Sequence, residues 1–416
     1  MLLALTMALC WVAAYSSPEP VLAVPGRLPA WPPVGRPLLP PQPPPQGARY
    51  PEAAGSAPPI RAAAAVLVDY HTGTVLYERN MHRRLHPAST TKIMTALLAL
   101  EHGRPGDVVE ISRRAASVSG SRMGLRAGDR YTVEALLHGL MLSSGNDAAA
   151  ALAEHISGTE KDFALLMTER AYRLGLVNST FRNAHGLTAV GHLTTAYDLA
   201  MLTRYALGLP EFRRLVALRQ AQVADVQGRK VILANTNRLL WSYDFAEGVK
   251  TGTTSAAGRT LVASASWNGR RLIAVLLRSP ARWREAEQLL RWGFETFDTR
   301  PLAAAGSIVG RLPVAGGLRP DVLVKAAQAL YVTAPKEMWP HIRRELALPP
   351  HVAPPVRRGQ LVGNLRAVHR GDLLAAVPVL TADPAVGRTL MGALTLRLLP
   401  LLDLIGPLPP AAGAVP

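Results

Sequence analysis

A serine and a lysine three positions apart are the side chains of this sequence best spaced for nucleophilic chemistry. Ser89 and Lys92 open an apolar segment that reads Pro-Ala-Ser-Thr-Thr-Lys-Ile-Met. Residues three apart share one face of a helix, so the lysine can reach the hydroxyl. A serine attacks only when a base takes its proton, and burial or a second cation lowers the pKa of a lysine. We predict a serine nucleophile with a lysine base; the structural alternative is a serine that caps the helix.

Lysine is scarce in this chain, because its 46 basic residues are overwhelmingly arginine. Arginine stays protonated in proteins and cannot act as a general base. The presence of Lys92 and of a later lysine, Lys250, in an arginine-rich chain therefore points to chemistry that needs lysine. Lys250 is the candidate for the second cation that lowers the pKa of Lys92.

A serine and an asparagine two residues apart interrupt a helical stretch over residues 133–155. Ser144 and Asn146 lie in the sequence Ser-Ser-Gly-Asn-Asp. In a loop between two helices, Ser144 can relay a proton to a leaving amine. Asn146 can hold Lys92 and hydrogen-bond a substrate amide. The structural alternative is a helix break that these side chains cap.

The second lysine belongs to the sequence Lys250-Thr251-Gly252-Thr253, which we place on a strand. Lys250 supplies positive charge, and Thr251 can bind a carboxylate. Gly252 lets a substrate backbone lie against the strand edge. The backbone N–H of Thr253, together with that of Ser89, can form an oxyanion hole. The alternative is an edge strand with a solvated lysine, but the three motifs in this order rarely coincide by chance.

Composition limits the partners of the chain. Its 416 residues allow two domains, and its formal charge is +17. A positive charge of this size favours binding to an anionic surface. The alternative is a GC-rich coding bias toward arginine, which would also give arginines scattered along the chain. No zinc finger, aromatic-basic motif or basic helical stripe occurs, so we expect no contact with nucleic acid. His185, His192 and Asp198 invite a triad or a metal site, but their spacing fits no metal motif, and we expect neither metal nor cofactor.

Composition shifts divide the chain into five parts. We predict a signal peptide over residues 1–23, which holds the only cysteine, and a proline-rich linker over 24–60. A catalytic domain follows over 61–300, then a small β domain over 301–382 and an apolar tail over 383–416. The chain is therefore expected to be secreted across the plasma membrane to its outer face or the cell wall.

The catalytic region is predicted to be α/β (α+β), with one antiparallel sheet flanked by helices. Strands near its start and near its end must share that sheet, and a small all-β domain follows. The expected strands cover residues 65–69, 74–78, 248–253, 259–266 and 271–278, and the last helix covers 282–297.

The tail from residue 384 to 405 is apolar apart from Arg388, Arg397 and Asp403. We interpret it as an anchor on the membrane surface. A frayed apolar tail is the alternative, and the two arginines and Pro400 disfavour a full span.

These motifs together resemble the D-alanyl-D-alanine carboxypeptidases, which are low-molecular-weight penicillin-binding proteins. The resemblance implies that Ser89 attacks the penultimate D-alanine carbonyl of a peptidoglycan stem peptide. It implies that Lys92 accepts the proton and that β-lactams acylate the same serine. It also implies a small C-terminal β domain and a membrane anchor. The matching segments are Val68–Asp69, Gly73–Tyr77, Pro87–Ala96, Ser144–Ala148, Asn183–Leu187, Thr194–Ala200, Asn235–Asn237 and Gly248–Thr254.

Two departures and two rival functions accompany this resemblance. Thr253 stands where the family often has an aromatic residue or histidine, and Thr236 where some members have arginine. A β-lactamase that deacylates through a glutamate-activated water needs a segment Glu-x-x-Leu-Asn, which is absent between Asn146 and Lys250. A non-catalytic wall-binding protein would not need the intact serine, lysines and asparagine.

Overall fold

The computed structural model of the protein describes residues 57–388. The expected signal peptide, nearly all of the linker and the tail beyond residue 388 lie outside the described residues. Within 57–388, no helix combines the length and the apolar character that crossing a bilayer requires.

The elements of the described part alternate between a helical region and sheets. Its helices are α1 (Lys92–His102), α2 (Arg113–Ser117), α3 (Val133–Met141), α4 (Asn146–Ser157), α5 (Glu160–Arg173), α6 (Ala196–Ala206), α7 (Pro210–Ala217), α8 (Leu239–Ser242) and α9 (Arg282–Thr296). Its strands are β1 (Ala64–Asp69), β2 (Val75–Arg79), β3 (Val108–Glu110), β4 (Arg130–Thr132), β5 (Gln220–Ala224), β6 (Lys230–Ala234), β7 (Ala246–Thr254), β8 (Gly258–Trp267), β9 (Arg270–Leu277), β10 (Phe297–Ala303), β11 (Ile308–Pro313), β12 (Asp321–Ala326), β13 (Leu330–Pro335), β14 (Ile342–Ala347), β15 (Leu361–His369) and β16 (Asp372–Thr381).

One five-stranded antiparallel sheet joins the two ends of the catalytic region, as predicted. Its spatial order is β2-β1-β9-β8-β7, so a strand from the start of the domain pairs with one from its end. The strand β1 is buried along its whole length because helices cover both faces. Val66 and Val68 face the helical core, whereas Ala65 and Leu67 face α9, which follows from the two-residue period of a strand.

The helix α1 is the central element of the helical side. Its residues from Lys92 to Ala99 are all buried, as its nearly continuous apolar sequence predicts. The predicted break between α3 and α4 is confirmed, and α4 begins at Asn146. These elements bring the lysine of α1 and the asparagine of α4 into the same buried region.

The β domain is a second antiparallel sheet with its own core. Its order is β11-β12-β16-β15-β14, and a two-stranded sheet of β10 and β13 lies beside it. The expected all-β character of this region is confirmed. Two residues just outside the predicted domain limits also pack against the domains. Ile60, at the end of the predicted linker, belongs to the core of the catalytic sheet, and Ala385, in the predicted tail, pairs with Val356 of the β domain.

Candidate active site

The amine of Lys92 lies at the centre of a buried hydrogen-bond group. Its Nζ is 3.0 Å from Ser89 Oγ, 2.6 Å from Asn146 Oδ1 and 2.7 Å from the carbonyl oxygen of His185. The side chain of Lys92 has no exposed surface. The structure thus brings together the serine, the lysine and the asparagine that the sequence motifs predict.

The environment of Lys92 favours the neutral amine. Burial lowers the pKa of Lys92 well below its ordinary value, and the nearby charge of Lys250 lowers it further. The carboxylate of Asp147 acts in the opposite direction. A neutral amine has a lone pair, so Lys92 can accept the proton of the hydroxyl 3.0 Å away.

Ser89 lies in a 3₁₀ turn over Ala88–Thr91 that precedes α1, so it stands before the first residue of the helix rather than within it. The residue before it, Ala88, has a φ of +51°, a left-handed backbone that alanine rarely adopts. A neighbouring loop supports this turn closely: a Cβ at Gly186 would lie 1.9 Å from the carbonyl oxygen of Ala88. Ser89 itself stays partly exposed, as a nucleophile must be to meet a substrate.

A buried carboxylate in the first turn of α4 ties this helix to residues 123–125. Asp147 accepts hydrogen bonds from the backbone N–H groups of Met123 at 2.8 Å, Gly124 at 2.9 Å and Leu125 at 3.1 Å. Asn146 donates from Nδ2 to the carbonyl oxygen of Ser119 at 2.6 Å, so its Oδ1 is oriented toward Lys92. These bonds explain why the amide faces the lysine rather than solvent.

Ser144 lies in the loop between α3 and α4 and is almost fully buried. It is 4% exposed and has a φ of +61°, which is uncommon for a residue with a side chain. Such a conformation persists only where the surroundings hold it, and it is frequent at functional sites.

Lys250 is the second buried lysine, on the edge strand β7. Burial lowers the pKa of Lys250 to about 7, and the guanidinium of Arg282 contributes to the shift. Its Nζ donates to the carbonyl oxygen of Thr251 at 3.2 Å. Because burial lowers the pKa of Lys250 to about 7, this lysine is not permanently charged at neutral pH. The constant positive charge that the sequence suggested therefore needs an anion beside the amine.

The strand β7 passes directly alongside the serine turn. A Cβ at Gly252 would lie 3.0 Å from the backbone nitrogen of Ser89 and 2.3 Å from Thr260 Oγ1, so only glycine fits there without a shift. The hydroxyls of Thr251 and Thr236 are 2.7 Å apart, which links the strand to the segment before α8. Thr251, the predicted carboxylate ligand, therefore contacts Thr236, the position at which some family members have arginine.

Two contributors to the site have no recognisable motif in the sequence. The carbonyl of His185 accepts from Lys92, but a backbone acceptor leaves no side-chain signature in a sequence. Arg282, the first residue of α9, donates to the carbonyl oxygen of Gly252 at 2.8 Å and to Thr253 Oγ1 at 3.1 Å. No local motif marks this arginine, because only the sheet order brings α9 to β7.

The histidines and aspartate considered as a triad or metal site have separate structural roles. His185 Nε2 lies 3.0 Å from a carboxylate oxygen of Glu160, and His192 Nε2 lies 2.9 Å from Thr91 Oγ1. Asp198 accepts from Ser179 Oγ at 2.7 Å. Among residues 57–388, no cluster of three or more such side chains could hold a metal ion.

Comparison with known protein families agrees with this geometry. Residues 52–281, more than half of the chain, match the family model described as D-alanyl-D-alanine carboxypeptidase. Residues 297–385 match the model described as penicillin-binding protein 5, C-terminal domain.

Individual relatives cover most of both chains. D-alanyl-D-alanine carboxypeptidase DacF of Bacillus subtilis is 36% identical over 327 residues, 76% of this chain and 84% of the relative. DacD of Salmonella typhimurium is 36% identical over 348 residues, 80% of this chain and 88% of the relative. The crystal structure of penicillin binding protein 5 from Haemophilus influenzae matches with a TM-score of 0.73 and 31% identity, over 80% of this chain and all of that chain. The chain therefore belongs to the D-alanyl-D-alanine carboxypeptidase family and is a serine-type DD-carboxypeptidase of the penicillin-binding-protein kind.

Proposed function

We propose that Ser89 is the nucleophile with which this DD-carboxypeptidase removes the terminal D-alanine of a peptidoglycan stem peptide. The observation that carries the assignment is the 3.0 Å contact between Ser89 Oγ and the fully buried amine of Lys92. In acylation, the neutral amine takes the hydroxyl proton while Oγ bonds to the penultimate D-alanine carbonyl carbon. The backbone N–H groups of Ser89 and Thr253 are the proposed donors to the resulting oxyanion.

The second half of acylation returns the proton. When the tetrahedral intermediate collapses, the C–N bond breaks and the leaving amine of D-alanine takes up a proton. Ser144 is the proposed relay between Lys92 and that amine, since it lies in the loop two residues before Asn146, which accepts a hydrogen bond from Lys92. Water then attacks the ester on Ser89, with Lys92 again as the base, and frees the shortened peptide. No metal or cofactor enters these steps.

The terminal carboxylate of the substrate is proposed to bind at Thr251 beside Lys250. A carboxylate next to Lys250 favours the charged ammonium and raises the pKa of this lysine from about 7. Substrate binding thereby supplies the anion that keeps Lys250 positive. The positive charge in turn keeps the pKa of Lys92 low, so binding and activation of the base are coupled.

A β-lactam is proposed to acylate the same serine, since its strained amide takes the place of the scissile bond. Mass spectrometry of a digest after penicillin treatment should locate the adduct on the peptide that contains Ser89. An adduct on any other serine would refute the assignment.

Release of D-alanine from a diacyl-D-Ala-D-Ala peptide tests the reaction itself. We expect release by the wild-type protein and by Ser117→Ala, an exposed serine outside the site, but none above background by Ser89→Ala. Failure of the wild-type protein to release D-alanine would favour a non-catalytic wall-binding role. Fast, sustained turnover of nitrocefin would favour a β-lactamase.

We further propose that the enzyme is secreted and attached to the outer face of the membrane by its apolar tail. The support is the sequence alone: an apolar N-terminal segment with small residues before residue 24, and an apolar C-terminal segment over 384–405. The predicted domain limits at residues 61, 301 and 383 belong to the same proposal.

A further inference from the structure

Three segments of the β domain lie side by side where the described chain ends. Val356 and Ala385 exchange backbone hydrogen bonds of 2.7 Å and 3.0 Å, and Arg388 donates from its backbone nitrogen to the carbonyl oxygen of Gly316 at 3.0 Å. The loop between β11 and β12, the approach to β15 and the residues after β16 therefore form one end of the domain. The apolar tail continues in sequence from this end.

This end of the domain carries a group of exposed arginines. Two of them donate hydrogen bonds to the backbone there. Arg358 donates from Nε to the carbonyl oxygen of Ala382 at 2.9 Å, and Arg388 donates from Nε to the carbonyl oxygen of Gly317 at 3.0 Å. These contacts leave other N–H donors of the guanidinium groups available to an anion. This group, the arginine end, consists of Arg319, Arg357, Arg358 and Arg388.

Among the residues that the structure describes, no carboxylate forms an ion pair with any of these four arginines. Asp383 is the one carboxylate in the segment after β16 that the structure describes, and Asp321 already pairs with Arg311 at 3.1 Å. Arg357 and Arg358 line an open concavity of about 400 Å³. Such a site is large enough for a phosphate group, which arginine binds through paired N–H donors.

Apolar side chains flank the arginines. Leu318 is 41% exposed and Leu361 is 64% exposed, and each is within three residues of an arginine of the group. Beyond residue 388 the sequence up to residue 405 is apolar, and its only charged residues are Arg397 and Asp403. Arginine beside exposed leucine suits a surface that is anionic outside and apolar beneath, which is a lipid headgroup layer.

We infer that the arginine end of the β domain is a binding site for the headgroups of anionic phospholipids. This inference rests on the proposed attachment of the tail to the membrane. Polybasic segments next to a membrane anchor add attraction to anionic lipids that increases with each basic residue and falls with salt. The site holds the β domain against the membrane at the point from which the tail departs.

Vesicle binding by the full chain tests this site. We compare vesicles of phosphatidylcholine alone with vesicles that contain about 30 mol% phosphatidylglycerol. The wild-type protein should bind the anionic vesicles at least about tenfold more strongly, and about 0.5 M salt should remove that difference. Arg357→Glu with Arg358→Glu should lower binding to anionic vesicles about tenfold and leave binding to neutral vesicles unchanged.

A matched double variant separates a defined site from general charge. Lys336→Glu with Arg343→Glu changes the net charge equally, and both residues are exposed. Arg343 of β14 is paired with Val368 near the end of β15, whereas the arginine end lies next to Leu361 at the start of β15. The length of the strand therefore places the matched variant about 25 Å from the proposed site. The matched variant should keep its preference for anionic vesicles to within about a factor of two.

Three outcomes would overturn the site. Equal losses in both double variants would mean that net charge alone attracts the protein. If the wild-type protein showed no preference for anionic vesicles, the tail alone would account for attachment to the membrane. Normal vesicle binding by the Arg357 and Arg358 variant, with lost binding to poly(glycerol phosphate), would assign the arginines to a wall polymer. D-alanine release from a soluble peptide is measured for every variant, so a failure of this inference is distinguishable from a failure of the proposed function.

Discussion

At the scale of single residues, the active site depends on a lysine that gives up its charge. Lys92→Arg keeps a positive side chain but removes the base, since guanidinium does not deprotonate in proteins. We expect acylation of Ser89 by penicillin to fall by a factor of about 100 or more. Stopped-flow measurement of the acylation rate, with the adduct confirmed by mass spectrometry, decides the result.

The control for this substitution is Lys161→Arg, which changes an exposed lysine at the start of α5. It should acylate at the wild-type rate. Near-normal penicillin labelling of Lys92→Arg would mean that another group takes the serine proton.

The pH dependence of substrate binding should follow Lys250. Its pKa is about 7, so the ammonium is present below pH 7 and is lost as the pH rises above it. If charge at Lys250 holds the substrate carboxylate, KM for a D-Ala-D-Ala peptide should rise by up to about tenfold per pH unit above neutrality. Lys250→Arg should keep KM flat over the same range, and a flat KM in the wild-type protein would argue against a role for that charge.

The same lysine should lower the stability of the fold. The pKa of Lys250 is about 7 in the folded protein against 10.5 ordinarily, so the unfolded chain binds more protons between these values. Lys250→Met should therefore raise the free energy of unfolding by a few kcal/mol below pH 7, with a gain that shrinks toward pH 10. Urea unfolding at pH 6 and pH 9 measures both quantities. Lys230→Met, at an exposed position, should change neither, and equal gains at both pH values would contradict the argument.

At the scale of elements, the serine turn depends on the loop that packs against it. Gly186 has a φ of +92°, and a Cβ there would meet the carbonyl oxygen of Ala88 at 1.9 Å. Gly186→Ala must displace the turn that carries Ser89. A displacement near 1 Å can lower the rate about 100-fold, so penicillin acylation should fall by that order.

Gly175 provides a control with the same kind of backbone strain but with open space. Its φ is +77°, and apart from its chain neighbours no heavy atom of the described residues lies within 4 Å of the place that a Cβ would take. Gly175→Ala should lower stability by about 1 kcal/mol and acylate normally. If both variants lose acylation equally, the close approach of Gly186 to the turn is not what positions the serine.

The sequence predicts elements well where the pattern is local. The buried β1 and α1 are long apolar segments, and Ser144–Asn146 marks a break between two helices, so these features are found in the structure. The two-stranded sheets β3–β4 and β5–β6 were missed, because β3 and β4 have only three residues each and β5 and β6 bury few side chains. Arg282 was missed for a different reason, because its contact with Gly252 depends on the order of strands in the sheet.

At the scale of the whole molecule, a hydroxyl network joins the catalytic sheet to the β domain. Thr299 Oγ1 donates to a carboxylate oxygen of the buried Asp69 at 2.8 Å, and Thr333 Oγ1 lies 3.0 Å from Thr299 Oγ1 and 2.8 Å from Thr72 Oγ1. His71 also stacks on Tyr331, with ring centroids 5.9 Å apart. These contacts tie the turn after β1 to β10 and β13. The β domain is therefore docked through polar groups that must all be satisfied.

Removing two of these hydroxyls should uncouple the domains without touching the chemistry. Thr299→Val with Thr333→Val leaves the buried carboxylate of Asp69 without one donor, which costs about 1–3 kcal/mol at the junction. We expect calorimetry to separate one unfolding transition into two, because each domain has its own apolar core. D-alanine release from a soluble peptide should stay within about twofold of wild type, since neither threonine contacts Ser89, Lys92 or their hydrogen-bond partners among the described residues.

Thr299→Ser with Thr333→Ser keeps both hydroxyls and should unfold as the wild-type protein does. A single transition in the valine variant would show that the apolar contacts at this junction suffice to couple the two domains.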